Sequence, residues 1–198
     1  MSSWRDLEAR LTRRLAEASD GERSVFCAGV SERLMRGHES LAAQARNSFT
    51  LGLRPLLDSV WTASLGDTRA FDAVKRGLGA FYLSDYCHSA GVDGPDDASE
   101  PAAAAALNAA RAHLHGCVDF AVFVSGAALE ERARALKIHA RPLRVSMESF
   151  RASQLSRQLS DLDRISCRRA ELRHASFGLT ASTTVRLRQE LQEPLSAG

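Results

Sequence analysis

The chain has 198 residues, 44% of them hydrophobic and 25% charged, which excludes wholesale disorder, collagen-like repeats and disulfide-framework miniproteins. That length favours one domain with enough chain for a real core. A near-balance of 26 basic and 24 acidic residues leaves a net charge of +2 and no global mark of a nucleic-acid binder. The charge is uneven: residues 1–100 carry 12 basic against 15 acidic side chains, leaving 14 against 9 for 101–198.

In chain order the dominant signal is helical period. Trp4, Leu7, Leu11 and Leu15 recur at three and four residues, with Ser3 placed to cap them. Asp20-Gly21 punctuates the chain before a second run bearing Val25, Phe26, Gly29, Val30, Arg33 and Leu34, which Gly37 is expected to end or bend. Leu53, Leu56, Leu57, Val60, Trp61 and Leu65 form a buried helix face, with Pro55 in its first turn. Asp67 caps a fourth run through Phe71, Val74, Leu78, Phe81 and Tyr82.

Gly91 to Asp97 is the clearest loop. Ser99 then caps an Ala-rich helix that starts near Pro101 and stops at Gly116, placed by its small side chains at the centre of the packing. The apolar stretch from Val118 to Leu129 alternates enough to permit a strand, but it continues through alanines into charged helix formers, so helix is preferred. Its ten uncharged residues from Phe120 to Leu129 fall short of the ~20 needed to cross a bilayer. Arg141-Pro142 marks a break, and Ser146 opens a long run to about Ala175, closed by Gly178. The last segment, Ser182 to Gln192 before Pro194, has few large apolar residues and is expected to dock loosely. The expectation is an all-α, compact bundle of about seven or eight helices. Residues 1–178 would form a single domain and 179–198 a short helix and tail.

The cysteines Cys27, Cys87, Cys117 and Cys167 show no short metal or redox spacing. With a charged N-terminus lacking an apolar leader, they suit a reducing, cytoplasmic setting.

Two segments resemble the uncharacterised bacterial family DUF416, also called YjaG-like. The first joins Val25-Phe26-Cys27-Ala28 and Glu32-Arg33-Leu34 to Leu56-Leu57-Asp58-Ser59-Val60-Trp61; the second is the Ala-rich run from Pro101 to His113. The resemblance implies a multihelical fold and brings no activity, cofactor or catalytic residue.

Four sets of residues are candidates for chemistry. Glu32, Arg33, Asp58 and Trp61 could form a polar core or ligand site, Glu32 pairing with Arg36 one turn on and Arg33 reaching Asp58. His113 and Cys117, four apart, would share a helix face and could ligate a metal if Cys87 and His88 join them. A nucleophilic Cys87 paired with a histidine matches no known cysteine-enzyme signature. Basic residues outnumber acidic ones over 132–188, and Arg164, Arg168 and Arg169 on one helix could contact phosphates, but without base-stacking aromatics or a DNA-binding module. With no constellation at catalytic spacing, the leading expectation is a non-enzymatic helical binding or interaction protein that self-associates, needing no cofactor and no membrane. An enzyme or ligand-binding pocket near His88, His113 and Cys117 is the alternative, followed by a nucleic-acid-associated factor.

Overall fold

A computed structural model describes residues 3–89, 101–138 and 146–197, apart from the side chains at 88–89 and 131–138. Among these residues there is no β-strand, and the fold is all-α. The helices are α1 (Trp4–Glu17), α2 (Asp20–Glu39), α3 (Ser48–Gly52), α4 (Arg54–Ser64), α5 (Ala70–Tyr82), α6 (Asp85–Ser89), α7 (Pro101–His115), α8 (Val118–Ile138), α9 (Met147–Ser166), α10 (Arg169–Leu172), α11 (Ala181–Leu187) and α12 (Glu193–Ser196). The Gly91–Asp97 loop, Ser99 and Arg141-Pro142 lie outside the described residues.

Local chemistry starts the long helices. Ser3 accepts from Asp6 N at 3.2 Å while Asp6 accepts from Ser3 N at 2.9 Å, a reciprocal box that satisfies two orphan donors of α1. Ser19 and Glu22 repeat the device at the start of α2. Ser146 caps α9 through Ser149 N at 3.1 Å, and Pro55 sits in the first turn of α4.

α2 and α7 form the centre. Ser24 to Glu32 and Pro101 to Ala110 are buried without interruption, because each helix is enclosed on every side. α2 packs on α7, α8, α4 and α9, and α7 also packs on α8, α4 and α5. The alanines of α7 make this possible, since small side chains let neighbouring axes approach. Around the pair, Leu11, Leu15, Leu57, Trp61, Leu155 and Leu162 close one continuous core.

Several punctuation marks act differently from their sequence reading. Asp20 and Gly21 lie inside α2, because Ala18 is the extended residue that breaks the chain and Ser19 begins the helix. Gly21 serves close packing: a Cβ there would fall 2.1 Å from the carbonyl oxygen of Leu172. Gly37 does not end α2, which runs to Glu39. The run from Ser146 breaks after Ser166, and α10 and a 3-10 turn over Ala175–Phe177 follow; this bend lets Leu172 and Ala175 enter the core.

Pro194 does not stop the last helix either. It enters the first turn of α12, where its missing N–H costs little, after a π turn over Arg188–Gln192. The loose docking expected of this end is also corrected: Leu187, Leu191 and Leu195 are buried in the common core. Its terminal carbonyls, left without helical partners, are taken by arginines. Arg33 donates to Leu195 O at 2.6 Å, and Arg157 donates to Ala197 O.

Candidate functional site

The polar core foreseen at Glu32, Arg33, Asp58 and Trp61 divides into separate contacts. Glu32, only 4% exposed, accepts from Arg36 Nε at 2.7 Å and from Arg54 Nη1 at 2.6 Å. Arg54 also grips both oxygens of Glu39 at 2.8 Å. Arg33 does not reach Asp58. One position along a helix turns a side chain by about 100°, and Arg33 points instead to Asp161 of α9, at 2.7 Å. Asp58 stays largely exposed, 3.7 Å from Arg54. Trp61 is buried with its Nε1 unpaired. The carboxylates and guanidiniums thus satisfy one another and lock α4 and α9 onto α2. Sequence reading misses Arg54, the cation that joins Glu32 to Glu39; its place one residue before Pro55 marks it as a helix start, not as a bridge.

The metal set does not assemble on α7. Gly116 takes φ of +64°, which ends the helix at His115, so Cys117 lies beyond it and the one-turn relation to His113 is lost. The side chain of His88 lies outside the described residues, and among those described no three His, Cys, Asp or Glu side chains converge. Of the three arginines considered for phosphate, Arg168 meets Glu190 at 2.9 Å and Arg169 meets buried Glu22 at 3.1 Å. Those two are therefore engaged within the fold.

His113 has a different setting. It lies in the last turns of α7 and lines a cleft of about 740 Å³. The walls come from the start of α2, the end of α4, Phe71 of α5 and the segment from Leu172 to Phe177. Nδ1 of His113 is 2.8 Å from Ser24 Oγ, and Ser24 Oγ is 2.5 Å from Ser64 Oγ. Both serines are buried. Phe71 stands edge-on to the imidazole, with ring centroids 5.9 Å apart. Burial holds the pKa of His113 below its ordinary value, favouring the neutral ring. Nε2 has no hydrogen-bond partner among the described residues and is not one of the buried unpaired polar atoms, and His113 is one of the residues that line the cleft.

Charge at the mouth is partly cancelled. Arg23 donates to Asp20 and to the carbonyl of Ala18, and Arg173 lines the same cleft from an exposed position. Phe177, 84% exposed, stands on the wall from the 3-10 turn. A signal for the two serines was present in the sequence. Ser64 continues the stripe Leu57, Val60, Trp61, and Ser24 directly precedes the apolar run of α2, so each places a hydroxyl on a face that must find it a partner. No family model, curated protein or solved structure matches the chain, and the functional reading therefore rests on this geometry.

Proposed function

We propose that the protein is a non-enzymatic helical binding protein whose ligand site is the cleft beside His113. The observation that carries this reading is an imidazole that lines a cleft of about 740 Å³, with Nδ1 held by buried Ser24 and Nε2 left without a hydrogen-bond partner among the described residues. That volume suits a small molecule, and the lining mixes apolar side chains with polar and charged ones that could orient it. Binding is favoured over catalysis because the hydroxyls of Ser24 and Ser64, which also line the cleft, are buried and bonded to each other and to His113. The DUF416-like, bacterial and cytoplasmic assignments belong to the same proposal; support for the first is that its first segment falls on α2 and α4 and its second on α7, three helices that pack together. No described helix is long and apolar enough to cross a membrane.

A fragment screen read by NMR tests the site. Fragments that bind shift the resonances of Phe71, His113 and Phe177 together, and Ser176→Trp at the exposed wall weakens them. Binding that maps to the groove between α1 and α8, or no binding from a broad library, refutes the reading.

Self-association is a second reading, supported by the exposure of Phe177 and Val185 in the C-terminal segment. Sedimentation at micromolar concentration tests it, and a monomer there rejects it.

A further inference from the structure

We propose that the ligand of the His113 cleft is a small carboxylate with an apolar body, an inference that rests on the cleft being a binding site. The argument begins with the proton of Ser64. Its hydroxyl is buried, and among the described residues its one hydrogen-bond partner is Ser24 Oγ. A buried hydroxyl that donates to nothing is costly, so Ser64 donates to Ser24. Ser24 has a single proton and one further partner, Nδ1 of His113, and donates there. Nδ1 is therefore the acceptor, and the proton of the neutral ring sits on Nε2. The opposite tautomer would turn the proton of Ser24 towards Ser64 and leave the proton of Ser64 with no acceptor.

The hydrogen bond from Ser24 thus fixes which histidine chemistry is left for the ligand: an N–H donor at Nε2, on a ring that lines the cleft. Phe71, edge-on at 5.9 Å, helps to hold the ring plane. Arg173 brings a positive charge to the lining of the same cleft, and among the described residues its guanidinium has no ion pair. Asp20, the acidic residue of the lining, is already occupied by Arg23. An N–H donor and a cation call for an anionic oxygen acceptor. Phe71, Phe177, Leu114 and Ala63 line the remaining space and suit an apolar body. Two donors match the two oxygens of a carboxylate better than the three of a phosphate.

The test has two parts, both on the full chain. In the first, imidazole ¹⁵N spectra near pH 7.5 should show His113 with Nδ1 unprotonated and Nε2 protonated. Ser24→Ala, which removes the donor to Nδ1, should then raise the Nδ1–H fraction, whereas Ser64→Ala should leave the Nε2–H form in place because Nδ1 is then the acceptor left for the proton of Ser24; a native Nδ1–H form overturns the proposal. In the second, benzoate, phenylacetate, hexanoate and indole-3-acetate are titrated beside their amides, the matching amines and phenyl phosphate. Carboxylates should bind at least about tenfold more tightly than the amides, and Arg173→Ala should reduce that preference by about tenfold. Amides, amines or phenyl phosphate binding as tightly, while shifting Phe71 and His113, would overturn the carboxylate assignment and leave the cleft as a binding site. No binding by any compound would overturn both.

Discussion

Arg33 and Asp161 lie 128 residues apart in sequence and 2.7 Å apart in space, guanidinium Nη2 to carboxylate Oδ2. The contact ties the central helix α2 to α9, and the same guanidinium holds the carbonyl of Leu195. Burial acts on both partners, lowering the pKa of Arg33 and raising that of Asp161 despite their attraction. Such a pair specifies an arrangement more than it adds net stability.

Removing one partner should therefore cost more than removing both. Asp161→Asn is expected to destabilise by about 3 kcal/mol, because it leaves Arg33 charged and almost buried. The double change Arg33→Met with Asp161→Leu should recover much of that loss. By contrast Asp163→Asn, which removes the more exposed pair with Arg14, should change stability by about 1 kcal/mol or less. Urea denaturation of the four chains measures all three, and equal losses for Asp161 and Asp163 would contradict the assignment.

Two glycines should respond to alanine with opposite signs. At Gly79 in α5 a Cβ meets nothing within 4 Å, so Gly79→Ala should stabilise by about 0.5–1 kcal/mol through helix propensity. At Gly21 the same methyl would meet the backbone oxygen of Leu172 at 2.1 Å, so Gly21→Ala should destabilise by about 1–3 kcal/mol as α10 is pushed away. Thermal unfolding of both variants decides the signs.

Glu22 predicts a loss of stability in acid. Burial works against its ionisation and is the largest single influence, but hydrogen bonds from Ser19 and the Arg169 guanidinium outweigh it and hold the pKa below 4.5. The unfolded chain then takes up this proton first. The stability from Glu22 is present above about pH 4.5 and is lost as the pH falls through the folded-state value. Stability curves of the parent and Glu22→Gln should converge as the pH is lowered from 6 to 3. Parallel curves would remove Glu22 from the acid response.

The C-terminal segment should behave as core. Leu195 is buried against Gly29, where a Cβ would lie 3.0 Å from its own. Leu195→Ala is expected to cost about 2–5 kcal/mol, as for other large-to-small core changes. In the parent chain, hydrogen exchange over 187–197 should be slow. Rapid exchange there with little effect of the substitution would mean a loosely held end.

The helices and many of their starts were legible before any coordinates. Ser3 and Ser146 cap by bonding to amides three residues on, and apolar stripes repeat every three or four positions; the same cap at Ser19 was hidden behind the Asp20-Gly21 turn signal. Such signals act within one turn, so neighbouring residues suffice to reveal them. The break after Ser166 escaped notice because residues 167–175 keep helix-compatible composition; what bends them is the demand that Leu172 and Ala175 enter the core.

Partner choice was not legible. Arg33 could have met Asp58 or Asp161 on sequence grounds, and the rotation of its helix against α9 settles it. Ser24 and His113 are 89 residues apart, and nothing in either neighbourhood names the other. Apolar stripes state which faces turn inward, because burying them is favourable whatever they touch. Hydrogen bonds and ion pairs need a particular atom at a particular distance and angle. Those positions exist once the helices have packed, and so the cleft beside His113 belongs to the assembled fold.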